Sequence, residues 1–387
     1  MVAITATDLD NDRHRARSAY KRGGLTAAID LAQSVVQNGG AAPLPDDILF
    51  LCLLLHAAQR FAEATAILRD GIARFPRDPA MHENLGVLLI ALGDAPGAIA
   101  ACEAAIALGT DSPNVNDCLC DAYNRIGRPD QAVAAGRAAL EAKDRQFSCR
   151  PPLVALPATA PPRFNPANPA ENVIAYCLWG NEPRYRVPLA ENSRILPHLF
   201  PGWSMRVYHD GDVDPAFLRE LRTRGADLHP MTLPPSVPPH RRLLWRFSVL
   251  GDSSVRRFLI RDADSLLSVK ERVAVDAWLN SGYHFHAMRD WFTHTDLLLA
   301  GLWGGVGGIL PDVEMLLGQY SGWRMENDHV DQDLLSETVW PAIRGNILIH
   351  DSIFTGCLGS VAFPPFGALM PGMHIGQNAF HHFARPS

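Results

Sequence analysis

The residues best suited to chemistry are a pair of acids. Asp262 and Asp264 stand two apart, and the apolar run FLI before them leads to a strand end. Two carboxylates so spaced can both turn towards one hard cation in the loop beyond a strand. Mg2+ or Mn2+ prefers such oxygen ligands and keeps coordination sites for a diphosphate. The spacing by itself is common: Asp210/Asp212, Asp212/Asp214 and Asp331/Asp333 share it. The strand-end setting distinguishes Asp262-Ala263-Asp264. DGDVD, Asp210 to Asp214, reads instead as a loop and helix cap.

The elements that must position these acids follow from periodicity. ENVIAYCLWG predicts a strand from Asn172 to Trp179, SMRVYHDG a second, RRFLIRDADS a third and GYHFHAMRD a fourth. DPAFLRELRTRG, PDVEMLLGQY and DHVDQDLLSETVWPAI have helical period, and NILIHDS is a further strand. Alternating strands and helices imply a single Rossmann-like α/β domain with a mostly parallel sheet. Ligands of such sheets sit at the carboxyl ends of the strands. Gly180-Asn181, Asp262-Asp264, Arg289-Asp290 and His350-Asp351 all fall at such ends, which is the argument for an enzyme.

The first part of the chain differs in kind. All eight tryptophans follow residue 175, and the first 150 residues are alanine-rich and helical in pattern. Ala64, Ala98 and Ala132 recur at a spacing of 34, as do Leu51, Leu85 and Leu119, and Gly71, Ala105 and Ala139. Gly93 and Gly127 share that phase, and a weaker copy with Gly23 and Ala28 precedes them. This resembles the tetratricopeptide repeat, which implies a helical solenoid that docks a protein partner or acceptor. Between the two parts, seven prolines from Pro151 to Pro169 exclude helix. The expected organisation is a repeat domain over 1–146, a proline-rich linker over 147–171 and an α/β domain over 172–387.

WRFSVLGDSSVRRFLIRDADS, Trp245 to Ser265, is similar to the donor segment of metal-dependent, nucleotide-sugar glycosyltransferases of the GT-A fold. AYCLWGNEPRYRVPLAEN resembles their first strand and nucleotide loop. MRDWFTHTDLLLAGLWGG resembles the segment lining the sugar and acceptor pocket, and DHVDQDLL a motif facing the reaction centre. The basic, Lys-containing C-terminal motif of some of these families is absent; the tail reads MHIGQNAFHHF. The resemblance implies transfer of a sugar from a nucleotide diphosphate to a glycan, lipid-linked or protein acceptor. Asp262 and Asp264 would bind Mn2+ or Mg2+, with His350 first and His374 second as completing ligand. Arg246 would contact the diphosphate, and Trp179, Gly180 and Asn181 would line the base pocket. Asp331 and Asp290 are the candidates for taking the acceptor proton. LAGLWGGVGG, Leu299 to Gly308, would let backbone approach a ligand, or is a packing turn.

Composition narrows the field. The net charge is −6, shared equally by the two halves, which argues against a nucleic-acid binder. No apolar run spans a membrane, and the start of the chain has no signal-peptide pattern. A cytoplasmic protein is expected, at most peripheral to the inner face of a membrane. Cys118-x-Cys120 reads as core, and seven scattered cysteines make no disulfide framework. Two alternatives remain: a non-catalytic repeat and α/β scaffold, and a metal-dependent phosphoryl or nucleotidyl transferase.

Overall fold

The computed structural model describes residues 6–38, 43–235, 237–321, 329–367 and 373–379. Met1–Thr5, Asp328 and the FHHF end of the tail lie outside them. The chain divides into two compact units, the first closing at Ala142 and the second beginning at Lys143.

The first unit is built from helix pairs: α1 (Ala6–Lys21), α2 (Leu25–Asn38), α3 (Pro45–Ala57), α4 (Phe61–Arg74), α5 (Pro79–Ala91), α6 (Ala95–Ala107) and α7 (Pro113–Arg125), with most of α8 (Pro129–Ser148). The 34-residue alanines mark where paired helices cross, and Ala64, Ala98 and Ala132 are fully buried. Gly93 and Gly127 adopt the left-handed backbone at the turns into α6 and α8, and Gln59 adopts it at the same phase before α4. Asp78 and Asp94 cap α5 and α6 by accepting from Ala80 N and Gly97 N. Cys118 and Cys120 are buried core thiols, as expected.

The second unit is one seven-stranded sheet: β1 (Asn172–Leu178), β2 (Ser204–His209), β3 (Asp227–Pro230), β4 (Arg257–Ile260), β5 (Phe285–Arg289), β6 (Trp303–Val306) and β7 (Ile347–Asp351). The order is β3-β2-β1-β4-β6-β5-β7. Only β6 pairs antiparallel with its neighbours, β4 and β5. β1 shows why the sheet needs two covered faces. Val173, Ala175 and Cys177 enter one core, and Ile174, Tyr176 and Leu178 the other. The second core is closed by α9 (Pro183–Leu199), α10 (Pro215–Thr223) and α11 (Val269–Leu279). The first is closed by α12 (Val313–Gln319), α13 (Val330–Leu334), α14 (Trp340–Ile343) and a run of 3-10 turns, Pro239–Gly251. In that run Leu244, Phe247 and Leu250 recur every three residues, the period that aligns one face of a 3-10 helix.

Two strands were not foreseen. β3 is short and at the edge, and β6 is half glycine. The stretch expected to be a Gly-rich approach loop or turn therefore has a strand at its centre, with Gly304 and Gly305 pressed against Phe258, Leu259 and Phe285. A π-helical turn, Leu335–Val339, joins α13 to α14. Pro341 explains it: lacking an N–H, it cannot donate to the carbonyl four residues back.

The proline-rich stretch runs along the second unit. Leu153, Val154 and Leu156 pack on its first core, and Phe164 stacks on Trp203 at 5.5 Å. Arg257 Nη2 donates to Pro162 O, and Asn172 Nδ2 to Asn165 O at 2.9 Å. Lys143, Asp144 and Arg150 pair respectively with Asp296, Arg344 and Glu337.

Candidate active site

The sheet order reverses between β1 and β4. β1 is followed in space by β2 and β3 on one side, and β4 lies on the other. A crevice therefore opens beyond the carboxyl ends of β1 and β4, the usual ligand position in such sheets. A cleft occupies it, lined by Cys177, Leu178, Trp179, Tyr185, Leu243, Arg246, Asp262, Ala263 and Asp264.

Each carboxylate of the acidic pair meets an arginine. Arg246, from the 3-10 run, donates through Nη1 to Asp262 Oδ1 and through Nη2 to Asp331 Oδ2, the latter at 2.6 Å. Arg184, at the start of α9, lies over the Tyr185 ring and donates to Asp264 Oδ2 at 2.9 Å. Gly301 makes room for Asp262, since a Cβ there would overlap its Oδ2. Burial, then the neighbouring charge of Asp262, raises the Asp264 pKa despite Arg184. Burial opposes the charge on Arg246, but Asp262 and Asp331 outweigh it and its pKa rises. Burial raises Asp331 as well, and pushes the Cys177 thiol up to about 12.

The structure thus brings together Trp179, Arg246, Asp262, Asp264 and Asp331. Trp179 is half-buried and packs edge-on to Trp245 at 6.5 Å. Gly180 supplies a left-handed turn after it. Asn181 holds two loops together instead of lining the cleft. Its side-chain amide donates to Asp212 O and accepts from Asp214 N, tying the β1 loop to the β2 loop. Asp214 caps α10 through Ala216 N, in line with the expected cap.

Three expected residues are not brought to the pair. His350 lies on β7, separated from β4 by β6 and β5, so by three strand spacings or roughly 14 Å. Its Nδ1 is engaged with His286 Nε2 at 2.9 Å, and its ring with Phe363. His374 stacks on Trp291 at 4.9 Å. Asp290 is buried, ion-paired with Lys270, and accepts from Ile375 N at 2.8 Å. The strands carrying His350 and leading into Asp290 were foreseen, but not their lateral order, and His374 lies on no strand. Among the described residues no group of three His, Cys, Asp or Glu side chains gathers as a metal site. Asp331, expected as a proton acceptor, has its oxygens occupied by Arg246 and by Gln332 N.

Sequence reasoning missed Arg184, Tyr185 and Leu243. The signal for the first two was present in GNEPRYR, where a cation and an aromatic follow the first strand. The chemistry available is anion recognition by two arginines beside two carboxylates, with aromatic walls for a flat ring.

Comparison with known proteins gives a family match within the first unit. Residues 53–113 match the tetratricopeptide repeat family, so the chain carries a tetratricopeptide repeat region followed by a mixed α/β sheet. No curated protein sequence matches. Among solved structures, a variant of the Thermobaculum terrenum O-GlcNAc transferase is similar at 19% identity and a TM-score of 0.41. That match covers 60% of this chain and 42% of the transferase, so the chain spans less than half of its length. MamA from Desulfovibrio magneticus RS-1 is similar at 14% identity and a TM-score of 0.34, over 38% of this chain and 80% of that one. MamA of strain MSR-1 is similar at 21% identity and 0.32, over 36% and 79%.

Proposed function

We propose that the α/β unit transfers a sugar from a nucleotide-diphosphate donor, with a divalent cation held at Asp262 and Asp264. The observation that carries this reading is the convergence of two carboxylates, Arg246 and an aromatic wall in one crevice at the β1/β4 switch point, with Arg184 paired to Asp264. The donor set suits Mg2+ or Mn2+. Mg2+ sites commonly use one or two carboxylates and leave the other positions to water and phosphate oxygens. Burial first, and then the like charge of Asp262, raise the Asp264 pKa, and a cation at the pair would relieve the second. When bound, the ion would neutralise the leaving diphosphate as a Lewis acid.

The chain's own residues do the rest. Trp179 and Tyr185 offer faces for the base. Arg184 can grip the diphosphate through two nitrogens, and Arg246 through its Nη1 edge, the one that meets Asp262. The tetratricopeptide repeats present a protein partner or the acceptor.

The test is a panel of nucleotide sugars with and without Mn2+, read by thermal stabilisation and by donor hydrolysis. One donor should stabilise the chain only with Mn2+. Asp262→Asn and Asp264→Asn should each abolish that shift while leaving the melting temperature of the free protein within a few degrees. A chain that no nucleotide stabilises, with or without metal, would support the scaffold reading, which the pairing of both carboxylates with arginines also accommodates.

A further inference from the structure

We infer that Arg246 is an exchangeable counter-ion for Asp262, and that Asp331 is the positioning residue that retains Arg246 when Asp262 takes up a divalent cation. The inference rests on the metal-dependent site proposed above and assigns how this chain accommodates the ion.

Arg246 bridges two carboxylates through different nitrogens, and the two ends of the bridge are unequal. The side chains of Arg246 and Asp331 are 3% and 6% exposed, whereas that of Asp262 is 38% exposed. The Asp331 end is sealed, and the Asp262 end faces the cleft. Asp331 is further fixed by Gln332 N at 2.9 Å. A buried guanidinium stripped of its only counter-ion is strongly disfavoured. With Asp331 in place, Asp262 can leave Arg246 without stranding it. The Nη1 edge is then free to grip a diphosphate oxygen in the cleft. Arg246 Nε is also buried without a partner among the described residues. The guanidinium therefore has donor capacity beyond its two carboxylate contacts. Asp264 needs no such device, because its partner Arg184 is 48% exposed and can swing into water.

This gives Asp331 a role different from taking a proton, and the two roles separate in Mn2+ binding without nucleotide. Free Mn2+ would be measured by electron paramagnetic resonance in titrations of the full chain. Asp331→Asn should weaken Mn2+ binding about tenfold or more, because Asp262 becomes the only counter-ion Arg246 has. In an Arg246→Gln background the same change should alter affinity by less than about twofold. Independent charge effects would instead add equally in both backgrounds, and that result would overturn the inference. So would unchanged Mn2+ affinity in Asp331→Asn, the outcome expected of a proton acceptor or a purely structural acid. A crystal structure of the unaltered chain with Mn2+ gives a second test that does not depend on the variants folding. Arg246 should be found on Asp331 and away from Asp262; Arg246 still on Asp262 with the metal bound would reject the exchange. If the unaltered chain binds no Mn2+ at Asp262 and Asp264, the metal reading itself fails and this inference with it.

Discussion

Gly301 is the residue whose replacement should be felt most directly in the cleft. A Cβ there overlaps the Asp262 carboxylate, which already sits against Arg246. Gly301→Ala should cost little stability, because the acid is 38% exposed and can turn aside. It should still remove Mn2+-dependent nucleotide binding, measured by calorimetry on a chain whose melting curve shows it folded. Acidification offers a second check on the same group of residues. Because the Asp264 pKa is raised, the acid takes up a proton at a higher pH than an ordinary aspartate. A protonated carboxyl does not hold the metal, so Mn2+ affinity should fall on acidification from above the usual aspartate range. Affinity that holds until the pH of a solvent-exposed aspartate would contradict this. Asp262 and Asp264 were legible because FLI announces a strand and the acids follow at its end. Arg184 and Tyr185 were harder to see because a helix start folded back beneath the acids leaves no periodic trace.

At the scale of elements, β6 shows what a hydrophobic pattern leaves out. Trp303-Gly304-Gly305-Val306 lacks the branched residues that mark a strand. Its glycines are required because β6 lies between β4 and β5. A Cβ at Gly304 would overlap Phe258 O and crowd Leu259, and one at Gly305 would strike the Phe285 ring. Gly304→Ala should therefore destabilise the second unit by about 1–3 kcal/mol or more, read from urea unfolding. A loss below about 0.5 kcal/mol, ordinary for a surface site, would mean that the strand has room. The same insertion of β6 explains the misplaced histidine. NILIHDS was recognisable as a strand, but its distance from β4 depends on the lateral order β4-β6-β5-β7, which alternation does not encode.

At the scale of the whole molecule, titration and truncation probe how the second unit is held. Burial pushes His350 down to about 4 and His294 to about 3. Below about pH 6.5 an unfolded chain binds protons that these buried rings refuse, so their contribution is full at neutral pH and lost as pH falls towards 4. The raised carboxyls Glu271, Asp264 and Asp331 work in the opposite sense. The histidine share must therefore be read as a difference: His350→Gln should lose less stability between pH 7 and pH 5 than the parent chain. Truncation addresses the proline-rich stretch. A chain beginning at Pro169 lacks Phe147, Leu153, Val154, Leu156 and Phe164, all of which pack on the second unit. It should melt lower and associate, whereas one beginning at Pro129 should stay soluble. Equal melting temperatures would show the stretch to be dispensable. The register between Asn172 and Arg257 also places the unit's assembly in time. β1 cannot acquire its second neighbour until β2, β3 and the whole 3-10 run have been made, and β7 arrives last of all. The repeats, whose contacts join helices one or two apart along the chain, can form as they emerge, so refolding should show a fast helical phase followed by a slow one carrying the tryptophan signal.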